Sequence, residues 1–377
     1  MTPDAARAVV VGAGIVGTWH AVELVEAGFR VDHLEADAAP TGASVRNFGL
    51  VWVSGRRTGA ELDAARRARC RWEEIGAEVP GVGFRANGSL TVATSDAERT
   101  VMVEYAHSAE AADRAVVFLE PDQVRACNAA VLGDVAGALH CRADGVVEPR
   151  RALGALREHL AQRAPDRYFF HPSRRVSAVE AHSVRDTTGA RWAGDLVVVA
   201  TGAAYDHLRA TAAFALQLRR VRLQMFETAP YDRALTTSLA DADSLRYYPA
   251  DEASSLGALG DQGAVAAEHH LQLLLVQRTD GGLTVGDTHA YDEPFDFALH
   301  EDATEELLAR ARRILGTGLP PIRRRWAGVY AQSRSDGVCV REEIAPGVWL
   351  VTGPGGRGMT CAPAIAADTL RAARAVA

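Results

Sequence analysis

Ala8-Val9-Val10-Val11-Gly12-Ala13-Gly14-Ile15-Val16-Gly17 is the stretch on which the fold turns. An apolar run with the look of a buried strand passes directly into G-x-G-x-x-G, and a second apolar run, Val31-Asp32-His33-Leu34, ends at the acidic Glu35. A glycine at 12 permits a tight exit from the strand, one at 14 lets a pyrophosphate approach the backbone, and one at 17 lets the following helix lie against the strand. The N–H groups and positive dipole of that helix, with Ile15 and Val16 in its first turn, favour phosphate. Glu35, followed by Ala36, is placed to accept hydrogen bonds from ribose hydroxyls, and its charge would repel a 2′-phosphate. The segment reads as a dinucleotide-binding βαβ unit, with NADP the least suited occupant.

The remaining composition narrows the chemistry. A chain of 377 residues exceeds one simple core, so two domains or one elaborated domain is expected. A net charge of -7 argues against a nucleic-acid partner. All 41 basic residues are arginine, which removes Schiff-base and P-loop lysine chemistry. Cys70, Cys127, Cys141, Cys339 and Cys361 form no C-x-x-C pair, so neither a zinc knot nor a dithiol centre is expected. The first residues carry no signal-peptide pattern and no apolar run approaches a membrane span, so a soluble, cytoplasmic protein is expected.

Along the chain, helical spacing is expected over Leu62 to Gly76, Ala97 to Ala115, Arg150 to Arg163, Asp302 to Leu315 and Cys361 to Ala375. Pro121 suits the first position of a further helix. Gly88 to Ala93 alternates like a strand, Val176 to Val184 reads as strand and turn, and the segment from Arg219 to about Gly286 is β-rich. Asp195-Leu196-Val197-Val198-Val199-Ala200-Thr201-Gly202-Ala203 reads as a strand buried on both faces, its carboxyl end at a ligand crevice. Val348-Trp349-Leu350-Val351-Thr352 is another strand, running into Gly353-Pro354-Gly355-Gly356-Arg357-Gly358-Met359-Thr360.

Taken together, the N-terminal G-x-G-x-x-G with Glu35, the strand ending in Thr201-Gly202 and the C-terminal glycine loop resemble the D-amino-acid oxidase superfamily of FAD enzymes, which includes glycine and sarcosine oxidases. Gly42-Ala43-Ser44-Val45-Arg46-Asn47-Phe48-Gly49, Gly286-Asp287-Thr288-His289 and Trp326-Ala327-Gly328-Val329-Tyr330 further resemble a bacterial subgroup associated with phosphonate metabolism, including 2-aminoethylphosphonate. The resemblance covers the whole chain. It implies an α/β fold in which a Rossmann-like FAD-binding domain (1–85, 145–215 and 325–377) carries an inserted β-rich, α+β substrate-binding domain (86–144 and 216–324). FAD contacts are implied at Ala43, Ser44, Arg46, Asn47, Phe48, Gly49, Val176, Thr201, Gly202, Gly353, Gly355, Gly356, Arg357, Gly358, Met359 and Thr360, beside the N-terminal glycines. Covalent relatives attach flavin through a cysteine shortly before a tyrosine; the stretch 326–330 has none, so the flavin is expected to be non-covalent. Those relatives also place a lysine near the flavin, so here Arg or His supplies that charge or O2 is not the acceptor.

The implied reaction is oxidation of the C–N bond of an amine bearing an acidic group (amino acid, N-methyl amine or aminophosphonate) to an imine that hydrolyses to an aldehyde or oxo acid, with O2 or another electron acceptor reoxidising the flavin. His289 and Tyr330 are the candidate catalytic groups, with Asp287 placed to orient the imidazole. Arg46, Tyr247, Tyr248, Arg334 and Arg357 are the candidate substrate ligands, arginine being suited to a planar oxyanion. A 2-hydroxy-acid dehydrogenase that uses His289 as base, or a flavin-binding protein without turnover, are the alternatives. His269-His270 has no Asp, Glu or His at ligand spacing to complete a metal site, and Arg323-Arg324-Arg325 reads as a solvated run.

Overall fold

The computed structural model describes residues 5–206, 217–247 and 255–376. Strand β1 (Arg7–Val11), helix α1 (Ile15–Glu26) and strand β2 (Arg30–Leu34) form the expected βαβ unit, with β1 and β2 parallel and in register from Arg7 opposite Arg30 to Val11 opposite Leu34. These strands are central because their side chains are apolar on both faces: Val9 and Val10 are fully buried against opposite layers. The sheet has six strands in the order Val340–Ala345, Val348–Thr352, Leu196–Val199, β1, β2, Tyr168–His171, parallel except for the first. Helix α1, helix α2 (Ala60–Glu78) and the C-terminal helix Gly358–Val376 cover one face, where Trp19 meets Trp72 edge to face at 4.9 Å. A three-stranded antiparallel sheet, Val176–Glu180, Ser183–Asp186 and Arg191–Ala193, packs on the other face through Val176 and Val184.

The second layer is an eight-stranded sheet. Its order is Ile322–Ser333, Leu218–Pro230, Gly282–Gly286, Leu274–Gln277, Ser238–Asp241, Ser89–Ala93, Gly137–Cys141, Val116–Leu119, with one parallel pair, Ser238–Asp241 against Ser89–Ala93. Helix Glu301–Leu315 buries Leu307, Ala311, Ile314 and Leu315 against it, as the period of its apolar residues requires. The expected boundary between 324 and 325 falls inside the long strand Ile322–Ser333, which pairs along its length with Leu218–Pro230. The expected helix Ala97 to Ala115 is two helices, Asp96–Ala106 and Ala109–Asp113. Ser108 ends the first and starts the second, its Oγ accepting from Ala111 N at 3.1 Å. The Arg323–Arg325 run is exposed and ion-paired to Asp280, Glu227 and Glu301. No helix among the described residues is long and apolar enough to cross a membrane.

Candidate functional site

The carboxyl ends of the parallel strands open onto a cavity of about 1170 Å³ that continues across to the eight-stranded sheet. At one end the turn out of β1 presents backbone to the cavity. Gly12 has φ 96°, and a Cβ there would lie 2.5 Å from Ala200 O. His33 braces the turn from below: its Nε2–H donates to Gly12 O at 3.2 Å, and Nδ1 accepts from Tyr168 OH at 2.9 Å. Burial depresses the His33 imidazole to about 3, so this neutral tautomer is the one present at neutral pH. Glu35 is buried and its carboxylate is held by the N–H groups of Ala13 (2.8 Å) and Asp37 (3.1 Å), which fixes its orientation while lone pairs remain for a diol.

Three observations test this cradle against a dinucleotide, and all fit. The first turn of α1 has no intrahelical acceptors for its N–H groups, and only that of Ile15 is met by a side chain, Ser44 Oγ at 2.9 Å. A Cβ on Gly14 would stand 3.1 Å from that hydroxyl, so the bare backbone keeps the approach open. Thr201 Oγ1, on the cavity wall, is buried without a protein partner. The cavity also takes in Ile15, Val16, Ala36, Ala43, Arg46, Asn47, Phe48, Val176, Gly202 and the C-terminal run Gly355 to Thr360. Gly17, Gly49 and Gly353 do not line it. Each is instead a packing glycine, with a Cβ 1.8 Å from Gly12 O, 2.2 Å from Val147 O and 2.5 Å from Leu218 Cδ2 respectively. Asn47 organises its own loop, donating to Ala43 O and Ser44 O and accepting from Gly49 N. Met359 O accepts from Trp72 Nε1 at 3.0 Å and Thr360 Oγ1 from Trp52 N at 2.9 Å, so the C-terminal helix start is pinned to two tryptophans.

Arg357 corrects one expectation. Its Nη1 donates to Glu61 Oε2 at 2.8 Å and its Nε to Pro354 O at 3.1 Å, so the half-buried guanidinium is engaged with the protein rather than free for the substrate contact expected of it. Glu61 also meets Arg57 at 3.4 Å and Arg56 at 3.7 Å. Burial pushes the Glu61 carboxyl up, yet the surrounding arginines outweigh it and hold the group below the usual carboxylate range. With Asp336 3.7 Å from Arg57, three guanidinium groups stand against two carboxylates and leave a net positive cluster on the cavity wall. Sequence reasoning missed Arg56, Arg57 and Glu61, because they sit on a segment unrelated in sequence to the glycine loop.

The far end of the cavity is made of side chains. His289, Tyr247, Tyr330, Arg334 and Arg46 all line it, while Tyr248 lies outside the described residues. Asp287 does not orient His289: its carboxyl accepts from Gln272 Nε2 at 3.2 Å and burial raises its pKa. The imidazole is oriented by a backbone carbonyl, His270 O, 3.1 Å from Nδ1. A carbonyl only accepts, so Nδ1 carries the proton and Nε2 is the acceptor nitrogen of the neutral ring. The Tyr247 hydroxyl donates to the same carbonyl at 2.7 Å, so it is not the oxyanion donor expected of it. Arg246 is tied to Asp243 and Gly260 O outside the cavity. Arg46 also departs from the expected clamp: its Nε and Nη1 donate to Thr41 O (2.7 Å) and Ala327 O (2.8 Å), bracing one loop against the strand at Gly328.

What takes their place was not visible in the sequence. The imidazole is nearly parallel to two phenol rings, with Tyr247 at 4.9 Å and Tyr291 at 6.2 Å. Arg219 lies 4.3 Å over the Tyr291 ring and donates Nε–H to Gln332 Oε1 at 2.8 Å, and its Nη groups meet no partner among the described residues. Arg334, exposed at the cavity rim, likewise has no side-chain partner among the described residues. None of the five free cysteines lines the cavity.

Comparison with known proteins agrees with this architecture. The family model DAO, FAD dependent oxidoreductase, matches residues 7–371. The chain is 25% identical over 363 residues to an opine oxidase subunit of Agrobacterium tumefaciens (strain Ach5), covering 91% of this chain and 86% of that protein. Among solved structures, glycine oxidase from Bacillus cereus ATCC 14579 superposes with a TM-score of 0.78 at 17% identity, covering 99% of this chain and 96% of its own. L-proline dehydrogenase from P. horikoshii does so with a TM-score of 0.77 at 20% identity, covering 99% and 94%. A six-stranded nucleotide sheet joined to a β-rich substrate layer, with the cavity between them, is therefore the fold of an FAD-dependent oxidoreductase, and the chain belongs to the DAO family.

Proposed function

We propose that the protein oxidises the C–N bond of a small amine bearing an acidic group, a carboxylate or a phosphonate such as that of 2-aminoethylphosphonate, to an imine that hydrolyses to an aldehyde or oxo acid. The observation that carries the reading is the pairing, in one cavity with the dinucleotide cradle, of unpartnered arginine donors with the His289–tyrosine stack. FAD, held without a covalent link by the Gly12–Gly14 turn, Glu35 and the Gly355–Thr360 run, would supply the two-electron acceptor chemistry, with O2 as the final oxidant. Arg219 and Arg334 hold the acidic group by charge-assisted hydrogen bonds, with the Tyr330 hydroxyl beside them. His289 Nε2, with Nδ1–H fixed on His270 O, takes the ammonium proton so that the nitrogen lone pair is free when the C–H is lost. The positive cluster of Arg56, Arg57 and Arg357 around Glu61 supplies the charge that a chain without lysine needs where negative charge develops. The relatives support the substrate class by name, since glycine, L-proline and opines are all amines that carry a carboxylate.

The test is anaerobic bleaching of the flavin by a panel of glycine, sarcosine, L-proline, 2-aminoethylphosphonate, ethylamine and lactate. Acidic amines are expected to bleach it and the other two to leave it oxidised. Ethylamine as good as the best acidic amine would remove the anion requirement, and lactate as the best donor would convert the reading to a hydroxy-acid dehydrogenase. Acid precipitation is expected to leave the pellet colourless and FAD in solution.

A further inference from the structure

Away from the cavity, on the outer side of the segment that carries His289, the fold gathers three metal-ligating side chains from two separate helix ends. His269 caps helix Ala264–Glu268, His300 caps helix Glu301–Leu315, and Asp302 lies in that helix's first turn. One ligand atom from each lies within 4.8 Å of the other two. The sequence around His269 offers no third ligand, and the expectation of no metal site rested on that; the partners come from a helix that begins far along the chain. We propose that His269, His300 and Asp302 form a binding site for one divalent transition-metal ion of the zinc class, with Asp296 as the fourth ligand.

The geometry suits such an ion. Zinc held at about 2.0–2.1 Å by imidazole nitrogen and carboxylate oxygen in a tetrahedron requires its ligand atoms to stand about 3.3 Å apart. His269 Nε2 and Asp302 Oδ2 are 3.1 Å apart already. The His269 and His300 rings are tilted to each other with centroids 4.7 Å apart, and Asp296 Oδ2 is 3.9 Å from His300 Nε2, so side-chain rotations about existing bonds are what closing the set requires. Two imidazoles with carboxylates select zinc, nickel or copper over magnesium or calcium, which prefer oxygen.

The segments that carry the ligands are anchored through their backbone, and Asp302 through its own carboxylate. Asp302 Oδ1 accepts from Ala303 N at 2.9 Å, which aims Oδ2 at His269. The backbone of His300 is clamped on both sides by the buried Gln224, which accepts from His300 N at 2.7 Å and donates to His300 O at 2.6 Å. His269 N donates to Val265 O at 3.1 Å. The N-terminal dipole of helix Glu301–Leu315 opposes a cation, and Glu301 and Asp302 in its first turn offset that.

The site bears on the cavity through the backbone. His269 O accepts from His289 N at 2.9 Å, and the next carbonyl, His270 O, orients the His289 ring. His270 itself sits at φ 43°, a conformation that costs a residue with a Cβ and that neighbours must enforce. A metal on His269 would clasp this segment to helix Glu301–Leu315. The metal proposal stands apart from the substrate reading, because its test needs no turnover.

The holoenzyme, dialysed against EDTA and then freed of it, is titrated with Zn2+ in competition with a chromophoric chelator, and its melting temperature is followed with and without Zn2+. The expected result is one equivalent of tightly bound zinc and a zinc-dependent rise in Tm that EDTA reverses. His269→Ala and His300→Ala should each weaken zinc binding at least about thirtyfold, Asp302→Asn about tenfold, and the control His107→Ala not at all, with flavin absorbance and zinc-free Tm unchanged. Should His269→Ala fail to fold, the more exposed His300→Ala and Asp302→Asn decide. Zinc binding absent from the wild type, or retained in the His300→Ala and Asp302→Asn proteins, would overturn the proposal.

Discussion

The two ends of the cavity are built on opposite principles. The nucleotide end is a backbone surface: Gly12, Gly14 and the run from Gly355 to Gly358 keep it free of side chains except Arg357, and one carboxylate, Glu35, is fixed by the N–H groups of Ala13 and Asp37. At the substrate end, side chains from one strand and from separate loops converge, with Arg219, Tyr291, His289 and Tyr247 held by carbonyls, amides and ring faces. A backbone surface demands glycine at fixed spacing and so writes itself into the sequence. A side-chain surface demands only that the sheet bring the residues together, and many sequences satisfy that.

If the nucleotide end is set by backbone contact, its glycines should tolerate least. Gly17→Ala is expected to have the largest effect of all, because its Cβ would stand 1.8 Å from Gly12 O with no flexible side chain to yield. Destabilisation at or above about 3 kcal/mol is expected, read as loss of soluble holoprotein and a lowered Tm. A stable, yellow Gly17→Ala protein would break the distinction.

The substrate end should instead lose function and keep its fold. Arg219→Ala or Arg334→Ala removes a charge-assisted interaction, and kcat/KM for the best acidic amine is expected to fall about a hundredfold, about 3 kcal/mol, with FAD content normal. Arg46→Ala and Arg357→Ala, whose guanidinium groups are engaged with the protein, should lower stability before they raise KM.

Next comes Glu35→Ala. Losing hydrogen bonds to a charged acceptor weakens FAD affinity by about 1.5–3 kcal/mol, measured by equilibrium dialysis of the apoprotein. Unchanged affinity would remove Glu35 from the cradle.

Acidification should sharpen the comparison from another side. His20 and His33 are buried beside the βαβ unit, and burial depresses their imidazoles to about 4 and about 3. In the unfolded chain they titrate near 6.5, so between that pH and the folded values the unfolded state binds more protons. The stability they confer is therefore present above about pH 6.5 and is lost as pH falls toward about 4 and 3, at about 1.4 kcal/mol per pH unit for each. Thermal melts from pH 7.5 to 5 should show this loss, and His20→Leu should flatten the slope.

Tyr247→Phe is expected to have the smallest effect, about 1 kcal/mol or less, since its hydroxyl serves His270 O. A loss of activity beyond about tenfold would make it a substrate donor after all.

The asymmetry also explains what could be read in advance. The nucleotide sheet, the C-terminal loop and the cavity position of His289 and Tyr330 follow from local patterns that carry their own chemistry. Ser108 was missed, because helical spacing runs through it and only the hydroxyl's bond to Ala111 N shows the N-cap of a second helix. Arg219 was missed as well, because its neighbour Gln332 comes 113 residues later and only the pairing of two long strands makes them meet. Arg357 misled for the converse reason: a cation between glycines suggests a ligand contact, and the buried Glu61 that claims it lies 296 residues away.

The strand order of the nucleotide sheet has a consequence for the chain's synthesis. Leu196–Val199 pairs on one side with β1 and on the other with Val348–Thr352, so its second neighbour is made long after it. Until then an apolar strand presents an open edge, the arrangement that templates intermolecular pairing. Translation that stalls between 200 and 348, or a nonsense truncation there, would leave a nascent chain that is yellow in neither ribosome-bound nor released form and sticky in both, and the burden of keeping it apart from its neighbours would fall on chaperones rather than on the cofactor.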